Sequence, residues 1–173
     1  MVKLKRQKEE IINKAEELAK EYEAKYRGCG QCTFLAIVDA LRWGGLEIIP
    51  EDMENRLASG LSLLTGGTAM SGDGTCGAIA SSAIAAGMAL QVSLDDIESI
   101  RRGAVFIRNT ILYEYCNKYN SILCKDIQMK RYGKAWDLSS DEMAHEFLGL
   151  SGGCTIMDTA KLAVQCILYE LEK

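Results

Sequence analysis

Seven cysteines against a single histidine, His145, define the side-chain chemistry open to this 173-residue chain. Three of them follow glycine at or beside the start of a predicted apolar helix: Gly28-Cys29, Gly74-Thr75-Cys76 and Gly153-Cys154. A helix N-terminus offers unpaired N–H groups and the positive end of the helix dipole, and both stabilise a thiolate. Glycine before the cysteine lets backbone, substrate or a cluster come close to the sulfur. Cys29-Gly30-Gln31-Cys32 adds spacing to position. In a CxxC at a helix start the first sulfur is typically the exposed nucleophile and the second resolves the disulfide. The same spacing serves metals, which take thiolates in pairs on a tight turn. A bland alternative stays open, in which the two sulfurs are neighbours on a helix with one simply buried.

The other candidates are weaker. Cys124, in Ile122-Leu123-Cys124-Lys125-Asp126-Ile127, reads by itself as core, although Lys125 could favour its thiolate. Cys116 and Cys166 fall inside predicted helices among apolar neighbours and read as buried, inert thiols. His145 has only Glu142 and Glu146 near it in sequence, which makes a poor ligand or base. The glycine-rich loop over residues 65–75 presents N–H groups ahead of a helix, as anion sites do. It lacks the Lys-Ser/Thr of a P-loop and no strand precedes it, so Asp73-Gly74 is read as a turn.

The elements that must carry these residues are helices. One proline, Pro50, and few β-branched runs disfavour strands, and no segment makes a convincing one. Residues 2–27 form an amphipathic helix with Ile11, Ala15, Leu18, Tyr22 and Tyr26 on one face, ended by Gly28. Cys29 to Trp43 gives an apolar helix closed by Gly44-Gly45, and Glu51 to about Leu64 a shorter one. Residues 76–91 are small and apolar, so other helices can approach that backbone closely. This segment is expected at the centre of a bundle, with Cys76 at its mouth. Ser93 is the expected cap of a helix over 94–118, with Ile97, Ile100, Ala104, Ile107, Ile111, Tyr115 and Tyr119 facing inward and Gly103 able to bend it. A short helix over 122–132 contains Cys124. Another begins at Ser139 or Ser140 and ends at Gly149. A last one spans 155–172, with Met157, Ala160, Ala163 or Val164, Ile167 and Leu171 inward.

The expected architecture is therefore a single all-α domain over residues 1–173. The length suits one domain with a substantial core. Nearly half the residues are hydrophobic, a quarter are charged, and the net charge of -4 disfavours a nucleic-acid or anionic-membrane surface. The N-terminus lacks the pattern of a signal peptide and no apolar run is long enough to span a bilayer, so a cytoplasmic location without membrane association is expected. A cytosolic chain with seven cysteines is more often redox-active or metal-binding than disulfide-stapled.

The cysteine order resembles a family of small helical redox-active proteins, common in anaerobic bacteria and archaea, named for the pattern C, GCAxxG, C, C. Its first cysteine resembles Cys29 before Gly30 and Gln31, and its central motif resembles Gly72-Asp73-Gly74-Thr75-Cys76-Gly77-Ala78. Its third, followed by a basic and an acidic residue, is similar to Cys124-Lys125-Asp126, and its last is similar to Cys154. Thr75 and Gly77 stand where the pattern has Gly and Ala, Ala80 or Ser81 where it closes with Gly, and Cys32 is an addition. The resemblance covers about residues 20–170 and implies that Cys124 belongs to the site.

Three functional readings follow. In the first, a thiol oxidoreductase uses Cys29 to attack and Cys32 or Cys76 to resolve, with Cys124 and Cys154 tuning or relaying, and works with an external redox partner. In the second, Cys29, Cys76, Cys124 and Cys154 hold an iron–sulfur cluster or, less suited to glycine-rich surroundings, a zinc ion. In the third, the chain is a helical interaction protein with incidental cysteines. A homo-oligomer is compatible with all three.

Overall fold

Helices build the whole architecture in the computed structural model, which describes residues 3–151 and 153–173. Residue 2, expected in the first helix, and Gly152 lie outside the described residues. The order is α1 (Lys8–Tyr26), α2 (Cys29–Trp43), α3 (Glu51–Leu61) with a 3-10 turn at Ser62–Leu64, α4 (Gly77–Ala89), α5 (Ile97–Ile107), a π segment (Arg108–Leu112), α6 (Tyr113–Tyr119), α7 (Cys124–Tyr132), α8 (Asp141–Ser151) and α9 (Ile156–Glu170). No strand is formed among the described residues; a lone antiparallel bridge joins Thr75 to Leu123.

α2 packs against α1, α3, α4 and α9, and α4 lies against α2 and α9. The small-residue helix is thus inside the bundle, but α2 is the more enclosed of the two. Phe34, Ala36, Ile37, Ala40 and Leu41 of α2 are fully buried, which explains why that helix is apolar on almost every face. Small residues set the spacing. A Cβ at Gly30 would lie 2.2 Å from the Leu61 carbonyl oxygen, so α2 meets the end of α3 only because residue 30 has no side chain.

Two expected boundaries move for identifiable reasons. Asp96, not Ser93, caps α5: its carboxylate accepts from the Glu98 and Ser99 N–H groups at 3.0 and 3.1 Å. α8 runs past Gly149 to Ser151, with Ser140 Oγ accepting from the Met143 N–H.

A third correction concerns which face of the 97–119 helix is inward. Ile97, Ile100 and Ala104 are exposed, whereas Ser99, Phe106, Ile111, Tyr115 and Tyr119 are buried. The π segment inserts one residue, so the inward face steps from Phe106 to Ile111. A regular 3.6-residue period carried back from Tyr119 therefore selects the wrong residues before the insertion. On α9 the inward set also includes Ile156 and Thr159, while Met157 and Leu171 are only half-buried.

No described helix is long and apolar enough to cross a membrane.

Candidate functional site

Four cysteines from four parts of the chain line one cavity of about 350 Å³: Cys29, Cys76, Cys124 and Cys154. Each stands at or within two residues of a helix start. Cys29 is the first residue of α2, after Gly28 at φ +92°. Cys76 is the N-cap residue of α4, and Cys124 is the first residue of α7. Cys154 lies in the turn before α9, at φ +49°, followed by the N-cap residue Thr155.

The loop over residues 65–75 holds these starts together. Gly66, Gly67, Thr68, Ala69 and Met70 all have positive φ, so the chain makes a short left-handed turn. Beyond it, the Cys76 N–H donates to the Ile122 carbonyl at 2.8 Å, and the Cys124 N–H donates to that of Gly74 at 3.0 Å. These bonds tie the mouth of α4 to the mouth of α7. A Cβ at Gly67 would lie 2.7 Å from Cys124 Cβ, so the loop can seat against α7 only with glycine there.

Cys29 and Cys76 are coupled at the mouth of α4. The Cys76 thiol and the backbone N–H groups of Gly66, Gly77 and Ala78 favour the thiolate form of Cys29. The Cys76 thiol, followed by these N–H groups, outweighs the cost of burial and pulls the Cys29 thiol down to about 6. Cys76 moves the opposite way, well above the ordinary thiol range, because it gives its proton toward Cys29, is buried, and faces that negative sulfur. Gly77 is part of the arrangement: a Cβ there would lie 2.8 Å from Cys29 Sγ and 2.7 Å from the Leu64 carbonyl oxygen. Glycine in place of the alanine of the GCAxxG pattern makes room for the sulfur.

Cys124 and Cys154 behave differently. Burial first, then the charge on Cys29, pushes the Cys124 thiol up to about 12, despite a hydrogen bond from Gln128 Nε2 at 3.3 Å. Burial, and again Cys29, pushes Cys154 up to about 11, partly opposed by a hydrogen bond from the Tyr132 hydroxyl. Lys125 does not serve Cys124. Its ammonium pairs with the Asp73 carboxylate in solvent.

Cys32 is not on the cavity. It is fully buried between α1 and α2, and its thiol donates to the Tyr22 and Arg27 carbonyl oxygens at 3.3 and 3.5 Å. Three residues round a helix from Cys29, it faces the core, and burial pushes it up to about 12. Cys116, expected to be buried, is exposed, and Cys166 is half-buried. Among the described residues, no three Cys, His, Asp or Glu side chains converge closely enough to hold a metal ion. The four cysteines thus share a cavity without forming a coordination shell.

Several contributors were not singled out from the sequence. Thr155 places its buried hydroxyl 3.5 Å from Cys76 Sγ, and its carbonyl oxygen accepts at 2.6 Å from Thr159, whose hydroxyl bonds the buried Tyr115 hydroxyl. Its one signal was adjacency to Cys154. Gln128 stands four residues after Cys124 on the same face of α7, a spacing that could have flagged it. Nothing local marked Tyr132.

The remaining walls are largely apolar, with Met70, Leu138, Phe147 and Leu148 among them. Glu23 and Arg27 stand at the edge and pair with each other at 3.5 Å. α8 closes one side, anchored by Phe147 against Tyr132 and Trp136 and by the Lys134–Glu146 ion pair.

A helical domain that gathers cysteines of helix mouths at one cavity is the arrangement implied by the cysteine pattern. The family model for the C_GCAxxG_C_C "putative redox-active protein" matches residues 28–165, and the chain belongs to that family. Neither the curated proteins nor the solved structures contain a match.

Proposed function

We propose that the protein is a thiol-based redox protein in which Cys29 is the attacking thiolate and Cys76 the resolving thiol. The observation that carries this reading is the placement of Cys29 sulfur against Gly77 at the mouth of α4, on the same cavity as Cys76, where the Cys76 thiol and nearby backbone N–H groups favour its thiolate. Oxidation joins the two sulfurs, removing two electrons and leaving the pair as a disulfide. Reduction by an external dithiol returns it. Thr155 keeps the Cys76 sulfur in place, so that its proton is directed at Cys29. Cys124 and Cys154, held neutral by burial, line the cavity without competing as nucleophiles.

Between the two candidates for the resolving role, the geometry favours Cys76, since the Cys32 thiol is committed to carbonyl oxygens in the core. The iron–sulfur and zinc reading lacks a converging donor set among the described residues, and no step is routed through a metal. The test is oxidation of the anaerobically purified protein with diamide, followed by peptide mapping, alongside iron and zinc analysis. A Cys29–Cys76 disulfide that still forms in Cys32→Ala and is lost in Cys76→Ala is expected. Stoichiometric metal lost on Cys76→Ser, or a Cys29–Cys32 bond as the main product, would overturn the assignment.

A further inference from the structure

We infer that the cavity takes an uncharged, apolar low-molecular-weight disulfide, which exchanges with the Cys29–Cys76 pair. The inference rests on the dithiol reading proposed above and adds to it the class of oxidant.

Three observations converge. The cavity has the volume of a small-molecule site, about 350 Å³, which is room for on the order of ten non-hydrogen atoms at roughly 30 Å³ each. Its walls are mainly carbon, from Met70, Leu138, Phe147 and Leu148, and the mouth adds Leu63, which is 70% exposed. The charged pair at the edge, Glu23 and Arg27, is already satisfied internally. A charged ligand would lose its hydration there without finding a free counter-charge, and such desolvation is costly. An apolar one would bury its own surface and that of the exposed rim together.

The leaving group decides the functional class. A hydroperoxide would expel an alkoxide, which needs a cation or a strong donor beside the departing oxygen. The guanidinium at the cavity edge, Arg27, is paired with Glu23, and His145 is not among the residues lining the cavity. A disulfide expels a thiolate, a far weaker base whose ordinary pKa is about 8.5, and needs no such group.

The step balances as follows. Cys29 thiolate attacks one sulfur of R–S–S–R, the S–S bond breaks, and RS⁻ departs, taking the Cys76 proton. Cys76 sulfur then attacks Cys29 in the mixed disulfide and expels a second RS⁻, which takes a proton from water. Two electrons pass from the protein pair to the ligand. One protein disulfide and two RSH result.

The test uses di-n-propyl disulfide and cystamine, isosteres that differ in a terminal methyl against an ammonium, with 3,3′-dithiodipropionate as the anionic probe. Each rate of Cys29–Cys76 bond formation is divided by that of the same reagent with 2-mercaptoethanol, which removes intrinsic reactivity. The normalised rate for di-n-propyl disulfide should exceed both charged probes by at least about tenfold, since a buried charge costs more than the 1.4 kcal/mol that tenfold represents. Leu148→Asp, at the 37% exposed rim of α8, should reduce that preference, with helicity followed by circular dichroism. Equal normalised rates, faster reaction of a charged probe, or a preference untouched by Leu148→Asp would overturn the inference. Diamide serves as the control that separates the two claims. If diamide forms the bond and the preference is absent, only the substrate class falls; if diamide does not form it, both fall.

Discussion

The two halves of the cavity use the same residue type at the same kind of position, with opposite results. Cys29 and Cys124 are each the first residue of a helix, yet the Cys29 thiol is pulled down and the Cys124 thiol pushed up. A helix mouth is therefore not sufficient. Cys29 sulfur receives the Cys76 thiol and three backbone N–H groups, two of them from the mouth of α4, a helix to which it does not belong. Cys124 receives one amide from Gln128, is buried, and is opposed by the charge on Cys29. The number of donors aimed at the sulfur, set against burial, decides the outcome.

The sharpest way to break this contrast is Cys76→Ala. A hydrogen bond to a charged group contributes about 1.5–3 kcal/mol, or roughly one to two pKa units. The midpoint of the pH profile of Cys29 alkylation by iodoacetamide should rise by that amount, cutting the rate at acidic pH by about tenfold to a hundredfold. An unmoved profile would assign the thiolate to the backbone N–H groups alone.

The next effect is on stability. Cys29 has a lowered folded-state pKa, so its stabilising contribution is present above the unfolded value of about 8.5 and lost as pH falls toward about 6. Cys124 and Cys154 have raised values. Their contribution is present below about 8.5 and is lost as pH rises toward about 12 and 11. In thermal melts from pH 5.5 to 10.5, the difference between the parent chain and Cys29→Ser should grow between about pH 6 and pH 8.5. The difference from Cys124→Ser should instead shrink above pH 9. Differences that stay constant with pH in both variants would remove the electrostatic distinction between the two halves.

Smallest of all is Lys125→Ala. Its exposed, solvent-screened ion pair with Asp73 contributes little, and the Cys124 thiol should titrate as before. A marked change in Cys124 titration would restore the role that sequence adjacency suggested for Lys125.

Much of this was legible in the chain itself. Apolar periodicity and glycine punctuation located the helices, and glycines one or two residues ahead marked Cys29, Cys76 and Cys154 as lying at or beside helix starts. What stayed hidden depends on rotation and on distance. Cys29 and Cys32 share a motif, but three residues round the helix send one to the cavity and the other to the core. The π segment turned the face of α5 away from the regular period. The role of Gly77 could not be read locally, because the atom it makes room for lies 48 residues earlier, on Cys29.

The left-handed turn has a consequence for the chirality of the chain. Thr68, Ala69 and Met70, at φ +64°, +52° and +61°, follow the mirror image of the helices that make up the rest of the molecule. Each L-residue held there costs about 1–2 kcal/mol, and none of the three has the hydrogen side chain that would relieve it. A D-amino acid would sit in the same place at rest. The bundle thus gives up stability in this stretch, in a loop that seats Gly67 against Cys124 and brings the Gly66 amide to the Cys29 sulfur. The most economical route to a more stable version of this protein runs through these three residues, and through the left-handed turn that keeps the Gly66 amide on the sulfur.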